Sequence, residues 1–305
     1  MTPLHIETPL IESRALKHSD GGSVWLKLEA IQPPGSFKIR GIGFACQEYA
    51  RRGATRFVSS SGGNAGIAVA WAGRHLAVPV VVVVPETTTD RAKAFIEQEG
   101  AEVVVHGASW HEANQYALSI LEASDAFLHP FDDPLIWEGH ASLVDEVARS
   151  GVRPDAVVLS VGGGGLLCGV AEGLHRNGWT DTPLIAAETR GAESFARSCE
   201  AGRPVELKEI TSIATSLGAK RICDRAFEWS TQHPIRSAVV SDQAAVAACH
   251  RFLDDHRILV EPACGAALAV VYESLPEVEE FDSVLVIVCG GVTASVEQLR
   301  EWNQV

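Results

Sequence analysis

The sequence predicts an α/β fold in which two domains of parallel-rich sheets are flanked by helices. Three observations lead there. Strand-like and helix-like segments alternate along most of the 305 residues, the pattern of repeated βα units. The run Val80–Val84 is continuously β-branched, as expected of a parallel strand buried on both faces. "HPFDDP" (129–134) then breaks the rhythm with two prolines and two aspartates and marks a crossing between domains. A chain of this length can build a core in each domain.

The elements follow in order. "VWLKLEA" (24–30) reads as a strand. Residues 37–52 read as a helix with Ser36 as its N-cap. "RFVSS" (56–60) is a strand, and an Ala-rich helix covers 64–76. After the valine strand, "TTTDRAKAFIEQEG" (87–100) is a capped helix ended by Gly100. A strand (102–105), a helix (110–124) and a strand (126–129) lead into the crossing. Beyond it come a helix near 138–150, a strand (156–161), a glycine loop, a helix to about 176 and a strand (183–188). Residues 196–235 are less regular. A strand (237–241), a helix to about 256, an Ala-rich helix (262–275), a strand (283–289) and a last helix finish the chain. Sites in such folds lie beyond the carboxyl ends of strands, so the loops after 60, 161 and 289 carry the interest.

The net charge of −14 argues against nucleic acid and anionic membranes as general partners. It leaves room for a small anion held by helix-start amides. "MTPLHIETPL" does not read as a signal peptide, and apolar stretches such as 77–85 are too short to span a bilayer. The expectation is a soluble cytoplasmic protein. The seven cysteines, at 46, 168, 199, 223, 249, 264 and 289, have wide spacings and no C-x-x-C, so neither a disulfide framework nor a zinc cluster is suggested.

Four stretches carry chemistry. In "SSSGGNAGIAVA" (59–70), glycines allow close backbone approach and helix-start amides favour an anion. A Ser/Gly turn capping a helix is the alternative. "VGGGGLLCGV" (161–170) sets four glycines between a strand and a helix. Each is costly to order, and a run of amides around a phosphate accounts for them. A tight packing turn would too. No G-x-G-x-x-G or Walker loop can be drawn through them. "VLVIVCGGV" (284–292) places Cys289 at a strand end before two glycines, as a buried small hydrophobe or as a ligand contact. In "QPPGSFKIRG" (32–41), Lys38 follows Phe37 at a helix start. A lysine can condense with a carbonyl to a Schiff base if it is partly desolvated; the plain alternative is a solvated lysine. His140, in "EGHASLVDE", reads as a structural or interface residue. G-x-S-x-G and H-E-x-x-H are absent, which speaks against a nucleophile elbow or a zincin.

Together, "GSFKIRG", "SGGNAG", "HPFDDP…GHAS", "VGGGGLL" and "VCGG", in that order from 35 to 291, resemble the pyridoxal-phosphate enzymes of the tryptophan-synthase-β fold (fold type II). The likeness is greatest to the catabolic L-serine/L-threonine dehydratases. It implies a large domain (1–35 and 135–305), a small domain (36–134) and pyridoxal phosphate in the cleft between them. Lys38 would hold the cofactor as a Schiff base and later move the substrate Cα proton. Phe37 would pack on one ring face and Ser216 would lie on the other. Asn64 would bond the ring hydroxyl, and Cys289 would face the pyridine nitrogen. Gly162, Gly163, Gly164, Gly165 and Leu166 would wrap the phosphate. Ser61, Gly62, Asn64 and Ala65 would hold the substrate carboxylate. A monovalent cation such as K+ would fall near Glu188, Ala192, Ser194 and Leu217, and a homodimer is usual.

The implied reaction is β-elimination from L-serine or L-threonine, giving pyruvate or 2-oxobutanoate and ammonia. Racemases of this fold carry a serine two residues before the asparagine. Gly62 stands there, which argues against racemisation and is expected to widen the substrate pocket. "QPP" replaces the more common Asn-Pro-Thr ahead of the lysine. No C-terminal regulatory domain is expected, since 14 residues follow Gly291. Another lyase or β-replacement enzyme of this fold, or a non-catalytic amino-acid- or phosphate-binding protein on the scaffold, would share these motifs.

Overall fold

The computed structural model describes residues 2–16 and 22–302. In chain order the strands are β1 (Leu10–Glu12), β2 (Ser23–Lys27), β3 (Arg56–Ser59), β4 (Val80–Val84) and β5 (Glu102–Val105). They continue with β6 (Asp125–Phe127), β7 (Ala156–Ser160), β8 (Leu184–Thr189), β9 (Ile235–Val240) and β10 (Ser283–Ile287). The helices are α1 (Lys38–Arg51), α2 (Asn64–Leu76), α3 (Asp90–Gln98), α4 (Trp110–Ser119), α5 (Pro134–Arg149) and α6 (Gly165–Arg176). After them come α7 (Ser194–Ala201), α8 (Asp224–Gln232), α9 (Asp242–His256), α10 (Pro262–Tyr272) and α11 (Val296–Trp302).

The strands form two sheets. One has the order β1-β2-β10-β7-β8-β9 and the other β5-β4-β3-β6. Every pairing is parallel except β1 with β2. All residues of β4, β7 and β8 are buried, because helices cover both faces of a parallel sheet. One hydrophobic core surrounds the six-stranded sheet, and a second joins α1, α2 and the four-stranded sheet. We propose a division into 1–35 with 135–305 and 36–134. The segregation of strands between the sheets supports it, and Ile136 of α5 reaches into the second core.

Local chemistry sets several boundaries. Thr89 caps α3 through Ala92 N, and Ser109 with Glu112 forms a capping box on α4. Asp133 caps α5 ahead of Pro134 at the first helical position. Three readings are corrected, and one strand was not expected. Ser36 does not cap α1. Its backbone forms a bridge to Gly290, and its hydroxyl has no partner. The strand expected at 24–30 ends at Lys27, and Glu29–Ile31 is a 3-10 turn. The helix expected to reach 124 stops at Ser119. Short β1, with two of its three residues exposed, has no counterpart in the sequence reading.

Glu29 leaves the strand for an ionic centre between the sheets. Arg40 Nε and Nη2 donate to its carboxylate at 2.7 and 2.8 Å. Arg40 Nη1 and Nη2 donate to Glu146 at 2.6 and 2.7 Å. Lys27 Nζ donates to Glu146 at 2.5 Å and to Thr8 O at 2.6 Å. Arg40 and Glu29 are 0% exposed. Two cations face two carboxylates here, so the centre is neutral and the desolvation cost is offset by bidentate pairing.

Arg40 thereby ties α1, two residues after Lys38, to β2 and α5. Removing it leaves buried Glu29 without a cation and Glu146 with Lys27 alone. Arg40→Ala is expected to cost about 3–5 kcal/mol in urea unfolding, whereas Arg153→Ala, from the exposed Arg153–Asp181 pair, should cost under about 1 kcal/mol.

Candidate active site

The loops that follow β3, β7 and β10 converge on one cavity. It is lined by Phe37, Lys38, Asn64, Phe131, Ser160, Gly162 to Leu166, Ser216, Leu217, Glu261, Ala263 and Cys289. Lys38 reaches it because the loop after β10 is strapped to the turn before α1. Phe37 N donates to Cys289 O at 3.1 Å, and Gly291 N donates to Gly35 O at 3.0 Å. Both positions need glycine. Gly35 has φ +78° and Gly291 φ +134°, and a Cβ on Gly35 would lie 2.5 Å from Val292 Cβ.

Half-buried Lys38 donates through Nζ to Pro130 O at 2.6 Å, and Nζ stands 5.2 Å from the Phe37 ring centroid. Burial lowers its amine to about 8, against the pull of Glu261. A lysine so placed carries a useful neutral fraction near physiological pH. His140 packs behind Phe37 with ring centroids 4.9 Å apart and accepts from Gly41 N at 3.2 Å through Nδ1. It is a buried support for the Lys38 turn, in keeping with its structural reading.

The glycine run has packing reasons of its own. A Cβ on Gly163 would meet the Phe131 ring at 2.3 Å, and one on Gly162 would meet Ser216 O at 3.0 Å. Gly164 has φ +94°, and its Cβ would strike Ala226 at 2.4 Å. The tight-turn reading and the anion reading therefore hold together. Among the described residues, nothing accepts from the N–H groups of Gly162, Gly163, Gly164, Gly165 or Leu166. The Ser160 hydroxyl, buried and lining the same cavity, also lacks a partner. Five free donors at the start of α6, with no cation among the glycines, suit a phosphate held by backbone.

Asn64 opens α2 and its amide is fully oriented. Nδ2 donates to Glu261 Oε1 at 2.8 Å, and Oδ1 accepts from Val292 N at 3.2 Å. Nδ2 also stands 3.5 Å from Ser216 Oγ. Cys289 is buried, and its thiol is pushed far up by a hydrogen bond with Cys264 and by burial, so it is a neutral neighbour. Ser61 and Gly62 lie on the β3–α2 turn and Ala65 in the first turn of α2, and none of the three is among the lining residues. A Cβ on Gly62 would come within 2.7 Å of Thr88 and 3.2 Å of Val84. The expected widening is corrected: Thr88 fills the space that a side chain at 62 would take.

Glu188, Ala192 and Ser194 cluster where β8 leads into α7. The Glu188 carboxylate accepts from Phe195 N and Ala196 N, each at 2.8 Å, and burial pushes its carboxyl up to about 8. The buried Ser194 hydroxyl has no partner. A 2.7 Å contact between Thr189 and Ser212 hydroxyls draws in the segment that ends at Leu217. Sequence reasoning missed Glu261, Phe131, Ser160 and Ala263. Glu261 left one trace, an acid within the apolar run 258–272 at the start of α10.

A cleft with a desolvated lysine, an amide-rich glycine cradle and an oriented asparagine defines a site for a phosphorylated carbonyl cofactor. The chain matches the family described as pyridoxal-phosphate dependent enzymes over residues 1–290 and belongs to it. Its cofactor is pyridoxal phosphate, and the fold is fold type II. The chain is 52% identical to a serine dehydratase-like protein of Mus musculus, over 98% of this chain and 94% of that one. It is 49% identical to the L-serine dehydratase/L-threonine deaminase of Homo sapiens, with the same coverage. The solved L-serine ammonia-lyase of the fungus Rhizomucor miehei superposes with a TM-score of 0.94 at 36% identity, covering 99% of both chains.

The free-amine fraction of Lys38 should govern cofactor loading. With the amine near 8, the rate at which the cofactor-free chain condenses with pyridoxal phosphate should fall about tenfold from pH 7 to pH 6. Stopped-flow absorbance reads this rate. A flat profile over that range contradicts a buried amine that must shed its proton.

Proposed function

We propose that this chain deaminates L-serine and L-threonine by β-elimination, releasing pyruvate or 2-oxobutanoate and ammonia. The single observation that carries the reading is the placement of the Lys38 amine and the free glycine amides in one cavity. The whole-length likeness to proteins named for serine and threonine dehydration supports the choice of substrate.

In this reading Lys38 Nζ would hold the cofactor covalently and then take the proton from the substrate Cα, as the β-hydroxyl leaves with a proton as water. Bound pyridoxal phosphate supplies an electron sink for the pair left on that carbon. The N–H groups of Gly162 to Leu166 hold the phosphate, and Ser160 Oγ adds a donor. Phe37 and Ser216 flank the ring, and Asn64 meets its hydroxyl. Cys289 faces the pyridine nitrogen as a neutral thiol. A thiol cannot hold that nitrogen fully protonated as a carboxylate would, which favours elimination over chemistry that needs a long-lived charge on Cα. Ser61, Gly62, Asn64 and Ala65 bind the substrate carboxylate at the start of α2. Gly62 offers no second base on the far face of Cα, so the reading excludes racemisation as a main activity. Glu188, Ala192, Ser194 and Leu217 form a monovalent-cation site such as one for K+; the unpartnered Ser194 hydroxyl supports it.

We also propose a cytoplasmic homodimer. Among the described residues no helix is long and apolar enough to cross a membrane. Exposed Ile6 and Phe44, near the contact of the N-terminal segment with α1, are candidates for a subunit contact. Light scattering should return twice the 32.6 kDa of one chain; a mass of one chain at micromolar concentration rejects the dimer.

Purified protein given L-serine or L-threonine should form the 2-oxo acid and ammonia in equal amounts. Lys38→Ala should reduce turnover to background and abolish borohydride trapping of the cofactor, with the circular-dichroism spectrum unchanged. Retained turnover in that variant, or no 2-oxo acid from either amino acid, defeats the reading.

A further inference from the structure

Glu261 is buried in the cavity yet belongs to none of the roles above. It stands at the N-cap position of α10, but its side chain makes no capping bond. It turns into the site, where Oε1 accepts from Asn64 Nδ2 at 2.8 Å. The hydroxyls of Ser216 and Thr293 lie near the same carboxyl and favour its charged form. The side chain is held in this direction from behind. A Cβ on Gly291 would fall 2.3 Å from Glu261 Cγ, so the glycine leaves the space that Glu261 occupies.

A carboxylate only accepts hydrogen bonds. Asn64 is therefore the donor that Glu261 orients, with the Ser216 and Thr293 hydroxyls close by. For Asn64 the consequence is specific. One N–H of Nδ2 goes to Glu261, and Oδ1 is taken by Val292 N at 3.2 Å. The second N–H reaches Ser216 Oγ only at 3.5 Å and is free to serve the cavity. Ser216, beside Glu261, lines the same cavity. Asn64 comes from the helix that follows the four-stranded sheet, while Ser216, Thr293 and Glu261 come from elements around the six-stranded one.

We propose that Glu261 is a positioning residue: its carboxylate spans the two halves of the site and holds Asn64 in the orientation in which it meets the cofactor. The proposal rests on the site holding pyridoxal phosphate, not on which amino acid is turned over. Burial pushes the Glu261 carboxyl up to about 7, opposed by Ser216, Asn64, Lys38 and Thr293. The titratable groups facing it are Lys38 of α1, Cys249 of α9 and Cys289 after β10. Below that pH a proton occupies one carboxyl oxygen and competes with the bond from Asn64. Positioning is thus strongest above pH 7 and weakens as pH falls.

The test is equilibrium binding of pyridoxal phosphate to the cofactor-free chain, read by cofactor absorbance, in wild type, Glu261→Ala, Asn64→Ala and the double variant. Glu261→Ala should weaken binding about ten- to a hundredfold. Asn64→Ala should then cost much less in the Glu261→Ala background than in wild type. Glu261→Gln, which preserves shape, should fold normally and flatten the change in affinity between pH 6 and pH 8 relative to wild type. Additive losses overturn the proposal, as do superimposable pH profiles for wild type and Glu261→Gln. The Gln comparison decides even if Glu261→Ala does not fold. Because cofactor binding is the readout, the result is independent of dehydratase activity.

Discussion

Two backbone hydrogen bonds, Phe37 N to Cys289 O and Gly291 N to Gly35 O, tie the turn before α1 to the loop after β10. These segments are some 250 residues apart in the chain, and the tie places the lysine amine beside the strand end that carries the thiol. The glycines at 35, 290 and 291 are the cost of the approach, since each has a positive φ that a side chain would strain. From this strap follow the desolvation of Lys38, its lowered amine and the close quarters with Glu261. Loosening it would return the amine to water and to an ordinary lysine's behaviour.

Electrostatics in this chain works at two scales. The net charge of −14 describes the surface and sets general partners. The interior is arranged separately. Arg40 and Lys27 neutralise Glu29 and Glu146 in a dry centre that fixes α1, while the cavity presents free amide donors and one cationic side chain to an anion. In the proposed reading an acidic protein holds an anionic cofactor without a basic patch, because oriented backbone dipoles in a low-dielectric cleft act locally. Glu261 fits the same logic. A carboxylate is tolerated there because the Asn64 amide, the nearby hydroxyls and the nearby amine compensate it.

Much of the fold was legible because its signals are local. Val80–Val84 announces a strand buried on both faces, and Thr89, Ser109 and Asp133 announce helix starts through their own side chains. The cofactor-site motifs were legible because glycine and lysine in fixed order carry chemistry that few other sites require. The misses share one cause. Ser36 looks like a cap until its backbone is claimed by Gly290. Residues 28–30 look like strand until Glu29 is drawn to Arg40. Residues 120–124 look helical, yet Asp125 binds Glu122 N and Arg56 and turns the chain. In each case a tertiary partner outbid the local preference.

The sequence by itself determined the βα alternation, the sheet-end loops, the lysine, the glycine cradle and the family they belong to, since each depends on residues adjacent in the chain. Only the tertiary structure decided that Thr88 fills the space over Gly62, and that Glu261 answers to Asn64 across 197 residues. A carboxylate's role is set by the donors that surround it, and chain distance says nothing of which donors those are.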